Sequence, residues 1–169
     1  NVRRTREESV DEVKRILDLG QAYPDMHIKA SLATVFGCPF EGKVKPDSTL
    51  HLVSQFYQLG IRDMSLADTV GFGNPREIKE VCNLCRHQFP EVIFGIHLHN
   101  TRGLGLANSL AAFESGIRIL DGAVGGLGGC PFAPGATGNT STEDLVFMFE
   151  EMGVHTGIDM QALLEVSKY

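Results

Sequence analysis

LGIRDMSL at positions 59–66 returns as SGIRILDG at positions 115–122. In each copy a glycine closes a helical apolar pattern and an Ile-Arg pair opens an extended one. Leu50, Val53 and Tyr57 precede Gly60 at helical spacing, and Leu106, Leu110 and Phe113 precede Gly116 in the same way; glycine suits the left-handed cap that ends a helix. Working outward, Val10, Val13, Ile16 and Leu17 mark an earlier helix, and after Pro24-Asp25 the run HIKASLATVF (27–36) reads as a buried strand. Ile78, Val81, Cys82, Cys85 and Phe89 define a helix stopped by Pro90, followed by the strand VIFGIHLHNT (92–101), while Leu145, Met148, Phe149 and Met152 define a last helix. The strand starts recur at intervals of roughly 25–35 residues, the size of a βα unit. The fold class is therefore α/β with a parallel sheet, either doubly wound or part of a (β/α)8 barrel.

Composition narrows the partners. The 169 residues are 43% hydrophobic and 21% charged, enough apolar material for the core of one domain, and no linker or low-complexity segment divides them. A net charge of −6 without a face-sized Lys/Arg run argues against nucleic acid. No stretch approaches the roughly 18–20 apolar residues of a membrane span, and NVRRTREESV lacks the apolar core of a signal peptide, so the sequence reads as that of a soluble protein without a membrane partner. Four cysteines, at 38, 82, 85 and 130, are too few and too irregular for a disulfide framework, which favours a reducing compartment. The chain opens on Asn1 rather than methionine, so upstream sequence is expected.

The polar and glycine-rich residues fall after the strands, at the rim where parallel α/β sheets bind ligands. His97-Leu98-His99 is the sharpest group: side chains alternate along a strand, so the two imidazoles can converge on one divalent cation while Leu98 enters the opposite layer. Two histidines that merely hydrogen-bond at a strand end are the alternative. Nitrogen ligands joined by oxygen donors would suit Mg²⁺ or Mn²⁺ as well as Zn²⁺. Asp68 in SLADTVG can orient a ligand, accept a proton or cap the turn after its strand. Glu143 and Asp144 fall in the first turn of a helix, where complementing the dipole and reaching back to a capping hydroxyl is the stronger explanation. Cys82 and Cys85 form a C-x-x-C on an apolar helix face with no second pair, which favours core packing over zinc or redox chemistry. Cys38 repeats, in FGCPF, the GCPF found at 129–132.

That second copy belongs to GGLGGCPFAPGATGN (125–139), six glycines and two prolines around Cys130. So much glycine is entropically expensive unless the backbone bends sharply or moves. Cys130 is either a reactive thiol on a closing loop or a small hydrophobe that tucks the loop down.

IHLHNTRG, SLADTVG and above all the cysteine loop resemble the metal-dependent lyases that cleave 3-hydroxy-3-methylglutaryl-CoA into acetyl-CoA and acetoacetate, a family among the TIM-barrel metallolyases. The cysteine loop is the specific part; HxHN alone is shared with isopropylmalate and homocitrate synthases. The resemblance implies that residues 1–169 are a single partial catalytic domain, the C-terminal half of a (β/α)8 TIM barrel, with its upstream strands missing. It implies that His97, His99 and Asn139 are metal ligands for Mg²⁺ or Mn²⁺, that Cys130 is the catalytic thiol, and that Asp68 and Glu143 belong to the active site, with His97 or Asp68 as the base. The family's first-strand Arg-Asp pair has no match here, so these residues alone are expected to show negligible activity, and the open edges of a half-barrel sheet are expected to make them associate. An acyl-CoA substrate, a homo-oligomer such as a dimer, and a role in leucine degradation and ketone-body formation follow, in the cytoplasm of a bacterium or the mitochondrial matrix of a eukaryote. The rival readings are a condensing synthase or aldolase of the same superfamily, and an inactive metal-binding fragment. A structural α/β module without a site is the least favoured.

Overall fold

The computed structural model describes residues 5–129 and 138–168. Helix α1 (Arg6–Gly20) leads into β1 (Ala30–Leu32), α2 (Pro46–Gln58) into β2 (Asp63–Asp68), α3 (Pro75–Gln88) into β3 (Ile93–Leu98), and α4 (Gly105–Glu114) into β4 (Ile119–Asp121). A 3-10 turn at Val124–Gly126 follows, then α5 (Thr142–Glu151) and α6 (Met160–Val166). The sheet order is β1-β2-β3-β4 and every pairing is parallel. Because each new strand joins the same edge, the order never reverses, which is the winding of a barrel rather than of a doubly wound sheet.

Strand alternation sorts the side chains into two faces. On one, Met64 and Leu66 of β2 and Phe94, Ile96 and Leu98 of β3 are buried, together with Val53 and Phe56 of α2, Ile78, Val81, Cys82 and Cys85 of α3, and Ala111 and Ala112 of α4. The other face is small and polar. Ser31, Ser65, Gly95 and Ile119 stand in one row across the four strands, and Ala67, His97 and Asp121 in the row above. Ile93, at the foot of β3, is 58% exposed on that face.

The start and stop signals act as expected. Asn74 caps α3 by accepting the Arg76 and Glu77 amides, with Pro75 in the first turn, and Gly60 and Gly116 close α2 and α4 at φ of 91° and 87°. Two expectations are corrected. The strand foreseen over 27–36 is only Ala30–Leu32: Thr34 adopts φ 56° and turns the chain, so Val35 and Phe36 are buried by a loop whose Val35 amide donates to Ala67 O at 2.9 Å. Helix α6 was not foreseen; it is a short segment of seven residues, none of them buried, with Met160, Leu163 and Leu164 as a brief helically spaced apolar group. Cys82 and Cys85 are both fully buried, and burial pushes each thiol up to about 12; they pack the core.

Candidate metal and active site

His97 lies one residue before the end of β3 and His99 one residue beyond it. Leu98, between them, is buried in the helix-facing layer at 1% exposure. The two imidazoles meet edge to face with ring centroids 5.2 Å apart. His99 is 5% exposed, and burial, then the neighbouring His97, lowers its pKa.

The stem of the glycine loop completes the group. Asn139 forms an antiparallel bridge with His99. The Asn139 amide donates to Gly126 O at 3.0 Å, the Thr140 amide and hydroxyl both donate to Leu98 O at 3.0 and 2.9 Å, and Ala123 N donates to Thr140 O at 3.1 Å. The two ends of the loop are thus zipped to each other and to the tip of β3. Gly138 permits this: its φ is 154°, and a Cβ there would stand 2.2 Å from Gly126 O. Asn139 spends its Nδ2 on the carbonyls of Leu127 (2.7 Å) and Gly128 (3.3 Å), which fixes the amide with Oδ1 turned away from them.

Of the six buried side-chain polar atoms without a hydrogen-bond partner among the described residues, two, His99 Nδ1 and Asn139 Oδ1, belong to residues paired across one bridge. Leaving a buried polar atom unpaired costs about 1–3 kcal/mol, so a nitrogen and an oxygen donor on two bridged residues fit a cation better than they fit an empty core. With His97 they make a donor set of two imidazoles and an amide. Among the described residues no three His, Cys, Asp or Glu side chains gather as a metal cluster.

The remaining expected residues separate. Asp68 ends β2 fully buried, in register with Leu98 rather than His97 and so on the helix-facing side. Its Oδ1 accepts the Phe72 amide at 2.9 Å and its Oδ2 the Gly73 amide at 3.0 Å, the turn-capping role of those open to it. Burial raises its pKa despite those two bonds. Asn108 of α4 extends the brace by donating to Gly73 O at 3.0 Å, and Arg102 donates to Val70 O and Gly71 O while lying over the Phe72 ring. Glu143, at the start of α5, accepts the Gly125 amide on both oxygens at 2.9 and 3.0 Å, the Ser141 hydroxyl at 2.9 Å, and the Ser167 hydroxyl. It fastens the 3-10 turn at the root of the glycine loop, and its pKa falls to about 2, chiefly through Ser167. Cys38 sits half-buried in a separate loop after β1, where its amide and carbonyl exchange 2.8 Å bonds with Gly42. Cys130 lies outside the described residues.

Sequence reasoning passed over Asp121 and Ser65. Asp121 Oδ2 stands 4.0 Å from His97 Nδ1 and receives the Ser65 hydroxyl at 3.5 Å. The available signal was alternation in IRILDG, which puts Asp121 level with His97 once β3 and β4 are paired.

Singly wound parallel βα units with polar groups gathered at the carboxyl ends of the strands define the (β/α)8 class. The chain belongs to the HMGL-like family, which it matches over residues 1–169. It is 39% identical over its whole length to mitochondrial hydroxymethylglutaryl-CoA lyase of Macaca fascicularis, covering 52% of that protein. It is 40% identical, again over its whole length, to (R)-citramalyl-CoA lyase of Chloroflexus aurantiacus, covering 53% of it. An HMG-CoA lyase structure from Acinetobacter baumannii, in complex with coenzyme A and 3-methylmalate, superposes with a TM-score of 0.92 at 46% identity, over 99% of this chain and 54% of that one. The chain thus spans about half the length of the relatives it matches and supplies about half of a TIM barrel. The relatives are lyases, and the family is enzymatic. Among the described residues no helix is long and apolar enough to cross a membrane.

Proposed function

We propose that this chain carries the metal-binding and cysteine-loop half of a carbon–carbon lyase that converts 3-hydroxy-3-methylglutaryl-CoA to acetyl-CoA and acetoacetate. The observation that supports this most is the pair of unpartnered buried donors, His99 Nδ1 and Asn139 Oδ1, beside the His97 ring. His97, His99 and Asn139 would hold Mg²⁺ or Mn²⁺, and a bound divalent cation would supply Lewis-acid polarisation of the substrate hydroxyl.

The chemistry removes the proton of the tertiary hydroxyl, forms the ketone as the C2–C3 bonding pair departs, and leaves that pair as the enolate of acetyl-CoA. We place proton removal on the face that His97 shares, because Asp68 is fully buried on the other and accepts the Phe72 and Gly73 amides there. Asp68 serves this reading by bracing the loop beside His99, whose amide donates to Asp68 O at 3.3 Å. Cys130 delivers a proton to the enolate carbon and recovers one from solvent before the next turnover. The zipped stem keeps both ends of the loop that carries this thiol registered on β3. Glu143 contributes by holding Gly125, the first residue of that root.

The test is acetoacetate release from 3-hydroxy-3-methylglutaryl-CoA by full-length protein supplied with Mn²⁺, alongside calorimetric Mn²⁺ titration of His99→Ala and Asn139→Ala. Both variants are expected to lose metal affinity and turnover together; parental affinity in both would overturn the ligand assignment. A second reading, cleavage of citramalyl-CoA, draws on the 40% identity to (R)-citramalyl-CoA lyase, and the same assay run with that thioester separates the two by kcat/KM.

A further inference from the structure

His97 is the ring of the donor set that faces the open side of the sheet, and its Nδ1 is turned toward β4. Register explains why. Ala67, His97 and Asp121 stand abreast on β2, β3 and β4, so the Asp121 carboxylate is the immediate neighbour of the imidazole on that side. Ser65 and Gly95 stand abreast in the row below. Gly95 leaves a hole on β3 between β2 and β4, and a Cβ there would already press within 3.2 Å of the Ile119 side chain. Through that hole the Ser65 hydroxyl of β2 reaches Asp121 Oδ2 on β4 at 3.5 Å. The same oxygen lies 4.0 Å from His97 Nδ1.

We propose that Asp121, steadied by Ser65 across the gap at Gly95, is a positioning residue that holds the proton of His97 on Nδ1 and so reserves Nε2 as the lone-pair nitrogen. A neutral imidazole has one donor and one acceptor nitrogen, and which is which follows from the partner of the other. At 4.0 Å the pair is beyond direct hydrogen-bond reach, but a carboxylate can only accept, and its negative charge favours the tautomer that turns an N–H rather than a lone pair toward it. Carboxylate support of this kind also raises the basicity of a ligating ring and fixes its plane, and removing it typically costs roughly 10–100-fold in metal affinity. The inference deepens the ligand role given above to His97 and rests on it for its metal consequence, whereas the tautomer can be observed without any metal.

The experiment uses ¹⁵N-histidine-labelled full-length protein, metal-free, at a pH where His97 is neutral, with the tautomer read from two-bond ¹H–¹⁵N correlations. The parent is expected to show His97 protonated on Nδ1. Asp121→Ala should move the proton to Nε2, Asp121→Asn should keep it on Nδ1 through its amide oxygen, and Ser65→Ala should give a mixture of both forms. A calorimetric Mn²⁺ titration should then show about 10–100-fold weaker binding for Asp121→Ala and a smaller loss for Asp121→Asn. An Nε2-protonated parent, or an Asp121→Ala protein that is folded with an unchanged tautomer, overturns the proposal. If His97→Ala binds Mn²⁺ like the parent while Asp121→Ala still switches the tautomer, the positioning stands and the ligand reading of His97 falls.

Discussion

A thiol reacts as its thiolate, so Cys82 and Cys85, pushed up to about 12 by burial, should be inert at neutral pH although they spell a redox-like motif. In full-length native protein at pH 8, iodoacetamide is expected to leave both unmodified and to label them only after denaturation, while Cys130 labels and is protected by an acyl-CoA. Peptide mass spectrometry decides it, and native modification of Cys85 would contradict the packing described. Glu143 offers a titration of known sign. Its folded pKa, about 2, lies below the usual 4.5, so its bonds stabilise the fold above the unfolded value and are lost as pH falls from about 4.5 through 2. Ser167→Ala should move the Glu143 carboxylate back toward 4.5 in a ¹³C NMR titration; an unmoved value would mean that Ser167 does not hold it.

At the scale of the element, the repeated GIR has a common physical basis. Arg62 lies 3.8 Å over the Tyr57 ring and donates to Tyr57 O and Ile61 O at 2.8 and 3.0 Å. Arg118 lies 4.3 Å over Phe113 and donates to Phe113 O and Ile117 O at 2.8 and 2.9 Å. Each arginine caps the last carbonyls of a helix and fastens them to the strand that follows. Arg62→Ala is expected to cost about 1–2 kcal/mol in denaturant unfolding, and Arg62→Lys nearly as much, because a point charge cannot both stack and fork. Full stability in Arg62→Lys would reduce the contact to simple charge. This part of the fold was legible because glycine, aromatic and arginine sit within six residues of one another. The convergence of His97 and His99 was legible for a similar reason, since period two follows from the pleat. What was not legible depends on pairing at a distance: the Asn139 amide is oriented by two loop carbonyls, and Asp121 meets His97 only once β4 docks. The short β1 escaped because a single positive φ at Thr34 leaves no trace in an apolar run.

For the whole molecule, the sheet leaves an outer edge on β1 and another on β4, and the face bearing His97 also shows Ile93 at 58% and Ile119 at 38% exposure. Among the described residues no strand pairs with either edge, and open backbone edges beside exposed apolar side chains favour association. A polypeptide of residues 1–169 is accordingly expected to sediment as an associated species at micromolar concentration, and a sharp monomer boundary in the ultracentrifuge would refute this.

The sequential strand order also bears on how such a chain reaches its native state. Each strand pairs with the next one made, closing loops of roughly 25–35 residues, so contacts that span the whole chain are not needed before the sheet can grow. A growing chain can add one unit at a time to a template already formed, with α6 following α5 to set Ser167 on Glu143. The proposed site follows the same timetable: His97 and His99 are in place when β3 docks, but Asn139 joins them only after β4 and the cysteine loop have been synthesised, so the proposed donor set is complete only once Asn139 has emerged.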